Sequence, residues 1–304
     1  MMRLTAIMGP TCSGKTALAC ALADKAPYEI VSVDSVMIYR GLDIGTAKPD
    51  ARTLAQYPHH LVDICDPSET YSVAQFCHDL EKAIRVIHAK GKHPLLVGGT
   101  AMYFHILQHG MHKLPESTAE SKATVQAIID TEGLKGLYQA LKVVDAVSAE
   151  HIGPTDSQRL SRALEIFQLS GVPLSQHKQV RREPSPYQLD MICLLPDRAQ
   201  LKKAIQQRLD HMLEQGFMEE VQALHGRGDL SLDNNAIRSV GYRQAWGYLS
   251  GEYNYNAFVE KTYVATCQYA KRQYTWFNKM PGAVFHDAMG ADKLRIFALP
   301  FIQV

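Results

Sequence analysis

Gly9-Pro10-Thr11-Cys12-Ser13-Gly14-Lys15-Thr16 matches the spacing G-x-x-x-x-G-K-[ST]. The glycines let a loop fold so that its backbone N–H groups and the start of the next helix converge on phosphate oxygens. Lys15 then neutralises phosphate charge, and the Thr16 hydroxyl is placed to ligate Mg²⁺. Average residue frequencies produce this pattern in roughly one chain of this length in a hundred. It points to a phosphate compound without deciding which one.

Two further segments place reactive groups at strand ends. Asp34-Ser35 closes an apolar run from Glu29, and Gly98-Gly99-Thr100 closes another from Pro94. Ligands of open α/β sheets collect at the carboxyl ends of the strands, so Asp34 is expected to face the phosphate site and Thr100 to offer a hydroxyl at its rim. A capping aspartate and a plain turn account for the same spacing. Arg208, in a helical pattern over Ala199–Gln215, has the planar charged fork suited to a diphosphate, although a lone helical arginine is ordinarily solvated. His59-His60 is read as structural, because neighbours in an extended segment point to opposite faces.

These groups need a scaffold, and the hydrophobic pattern supplies one. Leu4–Met8, Glu29–Asp34 and Pro94–Gly98 read as strands, with helices over Lys15–Lys25 and Ser72–Lys90 between them. Ser72 and Gln75 form a capping-box pattern, and Gly91 closes that helix. Apolar strands alternating with helices predict an α/β fold: a P-loop NTPase-like parallel sheet covered by helices. From about Pro115 to Glu183 only helical patterns follow, over Thr124–Asp130, Leu134–Leu141 and Asp156–Ser170. The sheet pattern returns at Met191–Leu195 and Val284–His286, among helices near Ala199–Gln215, Glu219–His225, Arg238–Leu249 and Ala257–Trp276. The expected organisation is a core of residues 1–114 and 187–304, with a helical insertion domain over 115–186.

The 304 residues are 46% hydrophobic and 21% charged, enough for a full core. No apolar run reaches the ~18 residues of a membrane span and no cleavage site follows the first strand, so a cytoplasmic address is expected. The six cysteines form no C-x-x-C pair, which argues against a zinc site or a disulfide framework. The net charge of +1 conceals a local bias. Between Asn235 and Met280, Arg238, Arg243, Lys261, Lys271, Arg272 and Lys279 face only Glu252 and Glu260, interleaved with Tyr242, Trp246, Tyr269, Tyr274 and Trp276. Cations with aromatics suit RNA, and a basic surface over an aromatic core explains the composition equally.

Taken together, the segments resemble the bacterial tRNA dimethylallyltransferases, also called tRNA isopentenyltransferases. The matching stretches are GPTCSGKT at Gly9–Thr16, DSVMIYRGLDIGTAKP at Asp34–Pro49, GGTAMY at Gly98–Tyr103, QRLSRALEIF at Gln158–Phe167, SVGYRQ at Ser239–Gln244 and AKRQYTWF at Ala270–Phe277. The resemblance implies transfer of a dimethylallyl group from its diphosphate to N6 of the adenosine immediately 3′ of the anticodon, in the anticodon stem-loop, with release of diphosphate. It implies that Asp34 accepts the N6 proton, that Thr100 lies near the reacting centre, and that Lys15 and Arg208 stabilise the leaving diphosphate. It also implies tRNA contacts from Asp34, Ser35, Val36 and Met37, from Gln158, Arg159, Leu160, Ser161 and Arg162, and from Ser239, Val240, Gly241, Tyr242 and Arg243. No obligate protein partner is expected. The target base must leave the stack to reach a pocket. Close relatives carry Thr-Arg-Gln where this chain has Thr266-Cys267-Gln268, so a phosphate or RNA contact there is expected to be lost. A P-loop small-molecule kinase, or a nucleotide-gated RNA-binding protein, would use the same loop and sheet.

Overall fold

The computed structural model describes residues 1–180 and 182–287. In chain order the elements are β1 Met2–Met8, α1 Lys15–Ala23, β2 Tyr28–Val33, α2 Ala51–Gln56, β3 His59–His60, α3 Val73–Ala89, β4 His93–Gly98 and α4 Ala101–His109. There follow α5 Ala119–Val144, α6 Ala146–His151, α7 Ser157–Ser170 and α8 Leu174–Gln179. The chain then continues through β5 Tyr187–Leu194, α9 Arg198–Glu214, α10 Phe217–His225, α11 Tyr242–Leu249, α12 Tyr255–Phe277 and β6 Val284–His286. It forms two compact units, one from Met1–Gln108 together with the chain from Tyr187 onward, the other His109–Pro186.

The first unit is built on a six-stranded sheet in the order β3-β2-β4-β1-β5-β6. Every pairing is parallel. The inner strands β1, β2 and β4 are mostly apolar because both of their faces are covered. Leu4, Ala6 and Met8 of β1 pack with Phe76, Leu80, Phe104 and Phe277 from the helices on one side. Ile7 and its neighbours Leu95, Val97 and Ile192 pack on Leu18 and Leu22 of α1 on the other. The register matters most for function. Gly98, the last residue of β4, pairs with Met8 of β1 and with Val33 of β2. The P-loop, Asp34 and Thr100 therefore leave the sheet at one level and on one edge.

The second unit is helical, with a core of Val125, Leu137, Leu141, Leu160, Leu164 and Ile166. It begins at His109, ahead of Pro115, and an antiparallel bridge joins Met111 to Glu183 near its two ends. The two helical patterns before residue 144 are two helical stretches of α5, separated by a kink at Gly133, where φ is 65° and the backbone is not helical. Helix α11 starts at Tyr242, later than Arg238, because Gly241 at φ 94° breaks the helical path. Ser72 and Gln75 make the reciprocal capping box at α3.

The two histidines are structural, and they also form an edge strand that alternation did not reveal. His60 Nε2 lies 2.7 Å from Glu29 Oε2. Glu29, only 2% exposed, also binds Lys90 at 3.0 Å and Lys92 at 3.1 Å. Burial acts to raise its pKa, but the bonds from His60, Lys90 and Lys92 outweigh it and hold the carboxyl at about 2 instead of 4.5. A depressed carboxyl stabilises the fold above its unfolded pKa, and that stabilisation is lost as pH falls toward the folded value. Glu29→Gln should therefore cost about 3 kcal/mol at neutral pH and flatten the loss of stability between roughly pH 4.5 and 2. Denaturant melts of both proteins across that window check it; parallel pH profiles would show that the cluster does not matter.

Candidate functional site

The P-loop connects the central strand β1 to α1. Its path needs left-handed backbone at Gly14, φ 81°, a region glycine enters without steric cost, and Cys12 adopts it as well at φ 61°. Gly14 caps α1 without a side chain, and no acidic residue occupies the first turn. The opening N–H groups and the positive end of the helix dipole are thus left for an anion. Ser13 Oγ is fully buried and has no hydrogen-bond partner, a costly condition that a phosphate oxygen would relieve. Lys15 Nζ donates to Pro10 O at 2.6 Å. Burial pushes the Lys15 pKa down to about 8, although the nearby Asp34 charge opposes the shift. Thr16 stands exposed in the first turn of α1.

Arg208 of α9 reaches this loop. Its Nη1 donates to Thr11 Oγ1 at 2.6 Å and its Nη2 to Gly45 O at 3.4 Å, so it is an ordered fork and not a solvated side chain. Thr11 and Gly45 share that cation, and its charge is also felt by Lys15. Asp34, just beyond β2, accepts from Val36 N at 2.9 Å and Met37 N at 3.2 Å, both on Oδ1. Asp34 thus caps the turn at 35–37 and sits within electrostatic reach of Lys15. Thr100 Oγ1 accepts from Ser35 N at 3.1 Å and lies 3.4 Å from Ser35 Oγ, which fixes the hydroxyl beside the Asp34 backbone.

The DIGTAKP stretch is held by a carboxylate that spacing did not single out. Glu220 of α10 accepts from Asp43 N, Ile44 N and Gly45 N at 2.9, 2.7 and 3.2 Å, and from Tyr242 OH at 2.5 Å. Within its own sequence Glu220 resembles any acid in a first helical turn. The side chains of Tyr242 and Leu160, both expected among the tRNA-contacting segments, lie in cores, each 0% exposed. Tyr242 packs edge-on against Phe217. Arg243 is exposed, and Ser239 Oγ bonds Ala236 O at 2.6 Å. In the helical unit Gln158 and Arg159 are exposed and Ser161 is half-buried. Arg162 uses its guanidinium internally, on Ser117 Oγ at 2.8 Å and Pro115 O at 2.6 Å.

The aromatic and basic C-terminal segment has both a buried and an exposed part. Tyr242 and Trp246 belong to a core, whereas Lys271, Arg272, Thr275 and Trp276 line an open groove along α12. Cys267 turns toward Leu201 and Ile205 of α9, in the same cluster as the P-loop Cys12. The altered position thus belongs to packing behind the loop. All six cysteines are free thiols.

Comparison with known proteins agrees with this geometry. The IPP transferase family model matches residues 37–280 and the isopentenyl transferase model residues 2–63. A tRNA dimethylallyltransferase of Coxiella burnetii (strain RSA 493) is 46% identical over 291 residues, 95% of this chain and 94% of that one. The tRNA isopentenylpyrophosphate transferase of Bacillus halodurans superposes with a TM-score of 0.72 at 34% identity, covering 99% of this chain and 96% of that one. A eukaryotic dimethylallyltransferase solved acting on tRNA superposes with a TM-score of 0.82 at 26% identity, covering 98% of this chain and 78% of that one. With a P-loop, an acid and a hydroxyl on one sheet edge and this likeness along almost its whole length, the chain belongs to the IPP transferase family.

Proposed function

We propose that this tRNA-prenylating enzyme transfers a dimethylallyl group from dimethylallyl diphosphate to N6 of the adenosine immediately 3′ of the anticodon. The observation that carries the reading is the convergence of Lys15, Arg208, Asp34 and Thr100 on the edge where β1, β2 and β4 end. The P-loop and Arg208 hold the diphosphate, which gains negative charge as the allylic C1–O bond breaks. N6 attacks C1, and its proton passes to the Asp34 carboxylate, whose Oδ1 is oriented by two backbone amides. Thr100 holds the Ser35 amide and so places the segment Ser35–Met37 against the acceptor base. The exposed Arg159 and Arg243 meet the tRNA backbone. Among the described residues no helix is long and apolar enough to cross a membrane.

A divalent ion fits this site as a partner of the donor. No group of three or more His, Cys, Asp or Glu side chains able to hold a metal occurs among the described residues. Mg²⁺ commonly keeps its waters and binds through substrate phosphates, so Thr16 and the diphosphate would hold it. Bound there, it would offset charge on the leaving diphosphate.

The reaction itself is tested by incubating the protein with unmodified tRNA, Mg²⁺ and prenyl-labelled dimethylallyl diphosphate, with ATP as the comparison. Label should move to RNA, and phosphate transfer from ATP in its place would overturn the reading. Asp34→Asn keeps the shape and the turn but removes the proton acceptor. Single-turnover transfer should fall about 10²–10⁴-fold while donor and tRNA bind within a few-fold of wild type. Near-normal transfer would reduce Asp34 to a cap.

Lys15 sets a pH limit. Diphosphate favours its protonated form, so donor affinity should weaken as pH rises through about 8, with proton uptake on binding above that point. Lys15→Ala should weaken donor binding roughly 10- to 100-fold and remove that dependence. Calorimetry in buffers of different ionisation enthalpy reads both, and a flat profile in the wild type contradicts the role. In the helical unit, Arg159→Ala should lower tRNA affinity and reduce the salt slope by about 1 with the melting temperature unchanged. Arg162→Ala should lower the melting temperature too, through the lost bonds to Ser117 and Pro115. Unaltered tRNA binding in Arg159→Ala would leave it an ordinary surface residue.

A further inference from the structure

Helix α12 sends one fully buried polar side chain into the site, Gln273, 4% exposed. Its Oε1 accepts from Thr11 N of the P-loop at 2.9 Å, and its Nε2 donates to Gly99 O at 2.8 Å. Each end of this amide meets a group that already has a place in the site. Thr11 carries the hydroxyl that receives Arg208. Gly99 precedes Thr100, whose hydroxyl receives the Ser35 amide next to Asp34. The fit is close, since a Cβ at Gly99 would stand 2.5 Å from Gln273 Nε2. Tyr269, one helical turn earlier, hydrogen-bonds Gln273 and lies near enough to Asp34 to feel its charge.

We propose, resting on the functional reading above, that Gln273 is a positioning residue that sets the span between the diphosphate cradle and the proton acceptor. Donor and acceptor ends of the reaction sit on separate loops of separate strands. Transfer needs N6, C1 and the leaving oxygen in line, and small misplacement of reacting groups is expensive in rate. The amide supplies both the acceptor for Thr11 N and the donor for Gly99 O, and it stays uncharged at every working pH. A buried polar tie of this kind costs stability unless both ends are made, which is the case here.

The chemistry of the tie gives a test that packing alone cannot mimic. In Gln273→Glu the carboxylate still accepts from Thr11 N but opposes the lone pairs of Gly99 O. The protonated acid donates to Gly99 O and restores the pair, and burial raises the pKa of such a group. Single-turnover transfer by Gln273→Glu should be at least about 10-fold below wild type near pH 8.5 and recover several-fold, relative to wild type, as pH falls to about 6. Gln273→Met should be slow at both pH values. Gly99→Ala, which presses on the amide from the other side and leaves α12 intact, should also lower the transfer rate about 10-fold or more, with tRNA affinity within a few-fold of normal. Lys15→Ala and Asp34→Asn run alongside: their expected losses with unchanged rates in folded Gln273→Glu and Gly99→Ala would overturn the positioning role alone. A pH profile of Gln273→Glu parallel to wild type would likewise overturn it, because a residue that only packs has no proton to regain.

Discussion

The register of one strand governs this site. Gly98 ends β4 while paired with Met8 on one side and Val33 on the other, so three chain segments leave the sheet together. Parallel strands all present their carboxyl ends to the same edge, where backbone N–H groups and the α1 dipole are available to an anion. A shift of β4 by one residue would exchange its two faces, moving Leu96 out of one core and Leu95 out of the other. The hydrophobic cores on both faces are therefore what keep Thr100 beside Ser35, and the geometry of the site inherits its precision from apolar packing.

Electrostatics accounts for the arrangement around that edge. Lys15 and Arg208 bring positive charge to one region, and Asp34 moderates it. Each charged group is tied to the backbone, Lys15 to Pro10, Arg208 to Gly45 and Asp34 to Val36 and Met37. Groups oriented before the substrate arrives need no reorganisation when charge develops on the leaving group, which is the usual source of electrostatic catalysis. Glu220 extends the same logic outward. By gathering three amides it fixes the loop whose Gly45 carbonyl orients Arg208.

Much of this was legible in the sequence because it depends on local signals. The P-loop, the apolar strands and the capping box at Ser72 are each written in a few adjacent residues, and the structure has all of them. What escaped was long-range. Glu220 and Gln273 act on loops distant in sequence, at Asp43–Gly45 and at Thr11 and Gly99, and no spacing rule links such partners. Leu160 and Tyr242 lie inside motifs that touch RNA by resemblance, yet their side chains are core. A matching segment identifies a neighbourhood, and alternate residues of it can face away. Cys267 teaches the same point, since only the fold reveals that its helix face meets Leu201 and Ile205.

The proposed diphosphate cradle and the proposed proton acceptor would face one substrate pair across the sheet edge. A crystal structure of the protein with an unreactive dimethylallyl diphosphate analogue and an anticodon stem-loop tests it most directly. Phosphate oxygens are expected on Ser13 Oγ, Lys15 Nζ and Arg208, with the flipped adenine placing N6 about 3 Å from the Asp34 carboxylate. A diphosphate bound away from the P-loop, or an adenine whose N6 addresses another group while Asp34 only caps its turn, would contradict it.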